Sequence, residues 1–403
     1  MATRVSKPAF NIREKLSELD RPVGTNGSQL LKSNDAAESF EIVRAGRKNI
    51  IINGDQRISQ RGTTFSPNGS LYCTDRFQQR ISGSSVTYDT TVTQADTGSE
   101  LPGFTKCYKV TPDTADTSLS GSDNAMIKYV VEGYDAQQFG HGTPSAKPMT
   151  LSFYAKSGSQ NSGHQYAIQL RKYDTAGTNR HIVNKPFIVT TSWQRFFITV
   201  DGDALTHMRN NNEKAIEIMW HLAAGPDDII AEQPIWNNNI NLSGSVGSPR
   251  FSAVTGQSNF LDNTSNEFYL TGVQLEVGSE VTPFEFRPYS QELLLCQRYY
   301  QQIVGNSDMV CAGPGRSNGT TNAPFSVPLS VPLAESPTVN SCAWSVFTPH
   351  TQTNVTATPS VVKWDANSSV LTCQLAGLSG MTNGRSLTVF LASSSTFTID
   401  AEL

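Results

Sequence analysis

Charge is scarce in this chain. Only 16% of its 403 residues are Asp, Glu, Lys or Arg, and the formal net charge is −4. A chain so balanced offers no basic footprint, which sets nucleic acid aside as a partner. Long apolar runs are missing as well. No stretch approaches the roughly 18–20 residues that span a bilayer as a helix, so no membrane insertion is expected. The opening residues, Met1 to Phe10, lack the apolar centre of a signal peptide. The six cysteines, at 73, 107, 296, 311, 342 and 373, form no Cys-x-x-Cys pair, and the six histidines are just as dispersed. That pattern argues against a zinc centre. Cys342 and Cys373 fall in two strand-like segments and read as buried free thiols rather than a disulfide.

Signatures of catalysis are absent too. There is no Gly-x-Ser-x-Gly, no His-Glu-x-x-His and no phosphate loop. Glycoside hydrolysis needs two carboxylates flanking one bond, one of them with a raised pKa. Asp135, Asp174, Asp227, Asp228, Glu276 and Glu285 lie near turns, but none sits in a motif that pairs it with another. Asp227 and Asp228 are adjacent, so in a strand they point to opposite faces. No enzyme activity is expected, and no cofactor is required.

What is abundant is Ser, Thr, Asn, Gly and Gln, together with short alternating segments. Leu151, Phe153 and Ala155 share one face of a strand, with Ser152, Tyr154 and Lys156 on the other. Tyr166, Ile168 and Leu170 do the same, and 192–200 and 215–222 add two more strands. Turn clusters such as 157–163 and Asp201-Gly-Asp203 separate them. Many short strands without βαβ alternation predict a mainly β fold, a sandwich or jelly roll over 49–288. Trp193 and Trp220 fall in phase with apolar neighbours and are assigned to the core. The polar stretches 112–125 and 236–265 read as exposed loops.

Two matching runs close this region. Asn49-Ile-Ile-Ile-Asn53-Gly54-Asp55 leads to Gln60-Arg61-Gly62, and Phe268 to Val277 leads through Gly278 to Pro288. Both are strand-like, which predicts one sandwich whose ends meet. Residues 289–304 look helical, with Leu293, Cys296 and Tyr300 on one stripe. Such a helix serves either as an oligomer core or as packing for its own domain. Residues 305–403 return to strand character and predict a smaller C-terminal β-sandwich. Its Phe325-Ser-Val-Pro-Leu-Ser-Val-Pro run reads as an edge strand or bulge.

Residues 1–48 stand apart. Ile12, Leu16 and Leu19 line one face of a short helix over Phe10–Asp20, capped by Asn11 with Glu14 three residues on. At about two turns it is too short to stand alone and orders only on a partner or on copies of itself. Phe40 follows, then the basic group Arg44, Arg47 and Lys48, which either docks on an acidic surface or is a solvated linker.

Candidate ligand residues follow from chemistry. A pyranose has an apolar face and a polar rim, so aromatic faces beside amides and charges suit it. Tyr154, Gln169, Arg171 and His221 sit opposite the assigned core positions. They form either a polar surface with an aromatic platform or an ordinary solvated sheet face. Trp236, beside Asn238, Asn239 and Asn241, is a second candidate. Asn53, Asp55 and Glu276 would meet if the two bounding runs pair, and their hard oxygens suit a structural Ca²⁺. The plainer reading makes Asn53-Gly54 a turn and Glu276 a surface charge.

The bounding motifs carry a resemblance. Asn49 to Gly62 resembles the opening strand of bacteriophage tail-fibre and related virion appendage domains. Gly272 to Arg287 is similar to their closing strand, and it runs straight into Glu292 to Tyr300. Phe325 to Val339 looks like the strand that opens their C-terminal knobs, and the leader resembles that of cyanophage-like fibres. The resemblance implies a carbohydrate-binding-module-like jelly roll, a C-terminal knob and a homotrimer. It implies an N-terminal anchor (Phe10, Ile12, Leu16, Leu19, Phe40, Arg44 and Arg47) on a tail adaptor, nozzle or baseplate protein. It also implies a host-surface glycan as ligand and a virion location after synthesis in the bacterial cytoplasm. The rival expectations are a capsid fibre, decoration or baseplate protein with no receptor role, and a polysaccharide depolymerase.

Overall fold

The computed structural model describes residues 48–83, 89–121, 123–176, 180–237, 253–305, 307–349, 352–365 and 367–403. The chain divides into two units, Met1–Lys48 and Asn49–Leu403. The predicted anchor residues Phe10, Ile12, Leu16, Leu19, Phe40, Arg44 and Arg47 lie outside the described residues, as do Asn238, Asn239 and Asn241.

Fifteen strands run in the first part of the large unit: β1 Thr64–Phe65, β2 Ser70–Tyr72, β3 Phe77–Ser82, β4 Thr90–Asp96, β5 Lys106–Pro112, β6 Asn124–Glu132, β7 Met149–Ser157, β8 Gln165–Tyr173, β9 Arg180–Ile188, β10 Gln194–Val200, β11 Lys214–Ala224, β12 Ile229–Ile230, β13 Gln233–Asn237, β14 Ala253–Val254 and β15 Phe268–Val277. Thirteen of them build a jelly-roll sandwich, and β12 and β14 pair with each other. One sheet has the order β1-β4-β5-β15-β7-β10 and the other β13-β9-β8-β11-β6-β3-β2. The period-2 alternation of the sequence is the reason. Leu151, Phe153 and Ala155 of β7 face Ile168 and Leu170 of β8 and Ile216, Ile218 and Trp220 of β11 in one core. Trp220 is wholly buried, with its ring edge-on to Phe153 at 5.6 Å.

Trp193 is different. It lies one residue outside β10, whose inward positions are Phe196, Ile198 and Val200. It therefore belongs to the outer face, 6.2 Å from the Tyr269 ring, with the Lys156 ammonium 5.4 Å away.

The two bounding runs do meet. Ile50 N donates to Leu275 O at 3.0 Å and Val273 N to Gly54 O at 2.9 Å. The first run is nevertheless not a regular strand. The Asn49 side chain occupies the ladder positions, donating to Val273 O and accepting from Leu275 N. Asn53 and Gln56 then turn at φ 60° each.

The helical reading of 289–304 holds only for Tyr289–Gln297. Tyr300–Val304 is strand β16, because its aromatic and β-branched side chains pair with 396–400. The helix packs on its own unit, where Cys296 and Tyr299 join Ile52 and Ile58. The remaining strands are β17 Val310–Arg316, β18 Ala323–Pro328, β19 Thr338–Val339, β20 Cys342–Phe347, β21 Gln352–Ala357, β22 Ser360–Lys363, β23 Val370–Leu375, β24 Ser386–Leu391 and β25 Thr396–Asp400. They form a smaller sandwich of a three-stranded sheet, β16-β25-β19, and a seven-stranded one, β21-β20-β24-β17-β18-β23-β22. Its centre is Trp344, with Phe325 and Phe397 at 5.5 and 4.9 Å. Strand β18 is interior rather than an edge. Its prolines are tolerated because it meets β17 at one register position, Gly315 to Phe325, and Pro328 ends the strand.

Candidate functional site

The sequence-predicted polar surface is split between two faces. Tyr154 lies on the outside of the six-stranded sheet, against Phe104 at 5.3 Å and under the Arg195 guanidinium at 5.6 Å. Gln169, Arg171 and His221 lie together on the outside of the seven-stranded sheet, where β8 and β11 pair. That face is not solvated: the three side chains are 0%, 3% and 0% exposed.

The reason is a third layer. The chain after β11 returns across this face. Gln233 N donates to Asn184 Oδ1 at 2.6 Å, Gln257 Nε2 donates to His221 O at 2.8 Å, and Ala253 and Val254 pack on Ala167 and Ala224. The stretch 236–265, read as an exposed loop, thus contains a buried strand, β14. On the same face Glu217 accepts from the Tyr173 hydroxyl at 2.5 Å and faces Lys214, Arg171 and Lys128 at 3.2, 3.5 and 3.7 Å. Burial works against the charged carboxylate. The three cations outweigh it and hold Glu217 down at about 2. Burial, then Arg171, pushes His221 down to about 3, so it is neutral.

The open site is at the edge of this sheet, around Trp236. A cleft of about 370 Å³ is lined by His181, Val200, Asp201 to Thr206, Ile235 and Trp236. Strand β13 pairs β9 at Gln233 to Asn184 and Asn237 to Ile182, and the register slips in between. An irregularity of this kind at a sheet edge re-aims side chains. Here it carries Ile235 and Trp236 over the turn that follows β10. The indole Nε1 donates to Asp201 O at 3.0 Å. Leu205 is 91% and Ile235 68% exposed, so the rim is apolar.

The floor of the cleft is polar and buried. Lys172, at the end of β8, is fully buried and donates to Asp203 and to Thr206 O. Its ammonium is 5.2 Å from the Trp236 ring. Asp203 also accepts from Leu205 N at 2.8 Å. Burial would raise its pKa, but the Lys172 and Leu205 hydrogen bonds outweigh that and hold it below the ordinary carboxylate value. His181, 4.0 Å from the same carboxylate, is pushed down by burial and then by Lys172. Gly202 is required for position, since a Cβ there would meet Ala146 backbone atoms at 2.5 Å.

Of the sequence-predicted residues, only Trp236 lines this cleft. Lys172, His181, Asp203, Ile235 and Leu205 were not foreseen as a site. The Asp201-Gly-Asp203 turn was visible in the sequence, but its partner Lys172 lies 31 positions away.

The three proposed calcium ligands are engaged elsewhere. The Asn53 amide donates to Ile58 O and Asp75 O at 2.8 and 2.9 Å and accepts from Ile58 N, which makes it a turn. Asp55 pairs with Arg57. Glu276 is wholly buried rather than a surface charge, and accepts from Gln274 Nε2, Thr282 N and Thr282 Oγ1. Among the described residues no group of three or more His, Cys, Asp or Glu side chains is placed to hold a metal ion.

No protein-family model and no curated protein matches this chain. Among solved structures, the tailspike protein 4 enzymatically active domain of bacteriophage CBA120 matches 57% of this chain and 21% of its own, at 11% identity and a TM-score of 0.30. This chain therefore covers about a fifth of that tailspike chain. The family 11 carbohydrate-binding module of Clostridium thermocellum matches over 57% and 96%, at 10% identity and a TM-score of 0.24. The CBM22-1 xylan-binding domain from Paenibacillus barcinonensis matches over 59% and 100%, at 7% identity and a TM-score of 0.27. What the geometry itself establishes is a jelly-roll sandwich with an amphipathic cleft at one edge.

Proposed function

We propose that this chain is a virion appendage of the bacteriophage tail-fibre kind that binds host-surface glycan through the cleft around Trp236, without cleaving it. The observation that carries the glycan reading is the cleft's chemistry. An apolar rim of exposed Ile235 and Leu205 and half-buried Trp236 stands beside the acceptors Asp201 and Asp203. The rim takes the C–H face of a pyranose and the carboxylates take its hydroxyls. Asp203 is held in place beforehand by Lys172 and Leu205 N, so little ordering is left for binding.

Binding without cleavage fits the carboxylates. Asp201 and Asp203 stand two residues apart in one turn, and Asp203 is held below the ordinary range, the opposite of what a general acid needs. The bounding motifs support the appendage part. In this reading residues 1–48 anchor the chain to a tail adaptor, nozzle or baseplate protein, and a homotrimer multiplies weak single-site contacts into avidity.

The test is binding of the labelled full chain to bacterial cells before and after mild periodate, which destroys vicinal diols. Binding lost after periodate and kept after protease supports the reading. Binding that survives periodate overturns it.

A further inference from the structure

The glycan class follows from how charge is arranged in the same cleft, so the inference rests on the glycan reading above. Asp201 and Asp203 are the charged side chains among the described lining residues, and His181 is the one further ionisable group. The cation nearest the ring is Lys172, and it is not available to a ligand. It is fully buried, bonded to Asp203 and to Thr206 O, and covered by Trp236. Turning it outward would leave the Asp203 carboxylate without its cation. One lysine therefore answers one aspartate, and the exposed Asp201 carboxylate is left over. His181 offsets it little, because burial and the neighbouring Lys172 disfavour its charged form.

We infer that the cleft selects neutral pyranoses and rejects sugars that carry a carboxylate, such as uronic and sialic acids. A neutral sugar donates hydroxyl hydrogens to Asp201 and Asp203, which are charge-assisted bonds. A uronate brings a second negative charge beside Asp201 with no cation among the described lining residues to meet it, and like charges brought together out of water discriminate strongly. The Asp201 side chain sets this preference while its main-chain carbonyl holds the Trp236 indole. The two roles can therefore be separated by substitution.

The experiment titrates the full chain with dextran, mannan and galactan, and with alginate and polygalacturonate. Three variants accompany it: Trp236→Ala, Leu205→Asp and Asp201→Asn. Leu205 is 91% exposed, so its replacement leaves the fold intact. The expected result is that at least one neutral polymer binds about tenfold or more tighter than either polyuronate, a gap of about 1.4 kcal/mol. Trp236→Ala and Leu205→Asp each lose that binding. Asp201→Asn narrows the gap by admitting the polyuronates. A polyuronate that binds as tightly as the neutral polymers, and loses binding in Trp236→Ala and Leu205→Asp, overturns the selectivity and leaves the glycan reading standing. If no polymer binding responds to either rim variant, both fail.

Discussion

Arg76 and Glu402, 326 positions apart, form an ion pair with side chains only 1% and 2% exposed. The guanidinium lies 3.3 Å from the Tyr299 ring centre and also donates to Val130 O. The carboxylate also faces Arg61. The pair therefore ties the jelly roll to the end of the smaller sandwich.

Removing one partner leaves the other charged and buried. Glu402→Ala is expected to cost about 3–5 kcal/mol in urea unfolding, whereas Arg76→Met with Glu402→Leu is expected to be nearly neutral. A cost below about 1 kcal/mol for Glu402→Ala would mean that the junction is wet and unimportant to stability.

Stability should depend on pH with two opposing contributions. Glu217 is held at about 2 in the fold, below its ordinary 4.5. A depressed carboxylate stabilises above the unfolded value, and that stability is lost as pH falls from about 4.5 toward 2. The amount is about 3 kcal/mol. His221, held neutral in the fold, adds to the same acid limb below its ordinary value. Burial raises Asp75 to about 6, against the pull of Arg61. Its sign is opposite: stability falls as pH rises from about 4 to 6. Glu217→Gln is expected to flatten the acid limb, and Asp75→Asn to remove the loss between pH 4 and 6. Melting temperatures across pH 2 to 8 would settle both. An unchanged profile in either variant counts against the assignment for that residue.

The meeting of the two bounding runs leaves no room at Gly54. A Cβ there would lie 2.1 Å from Val273 O, a backbone atom that cannot swing aside. Gly54→Ala is expected to lower stability by about 2 kcal/mol or more, read as a lower urea midpoint at unchanged slope. A neutral result would show that the opening run lifts off the closing strand at no cost.

Thiol reactivity offers a count. All six cysteines are free, and Cys311 alone of them is exposed. Burial pushes Cys73 up to about 11 and Cys107, Cys342 and Cys373 up to about 12. One equivalent of an aromatic disulfide reagent should react in the native protein and six in denaturant. Two or more fast native equivalents would contradict the burial of Cys342 and Cys373.

Light scattering on the full chain and on a variant lacking residues 1–48 tests assembly. A trimer in both is expected, with the leader acting as a docking segment. A monomer in both would move the weight to a decoration or adaptor protein.

The strands were legible because burial repeats every second residue. Leu151 to Lys156 and Ala215 to Leu222 read correctly from alternation alone, and Trp220 with them. Trp193 did not, since it sits just before β10 and its apolar neighbours belong to the opposite phase. The covered face was invisible for a different reason. Gln169, Arg171 and His221 were placed outward correctly, but only tertiary structure shows that the chain comes back across their face, 253–254 packing on Ala167 and Ala224. The cleft was half legible. An aromatic beside a polar loop marked Trp236. Its floor depends on Lys172 reaching Asp203, a contact between strand end and turn that no local pattern encodes.

The corner where the chain enters and leaves the sandwich has a mechanical consequence. Arg287 donates to Ile51 O and Glu292, and the helix it steadies leads directly into β16. A tug arriving at Asn49 is handed across that corner to the helix and the smaller sandwich. The cleft, built from β13 and the turn after β10, shares no residue with that corner.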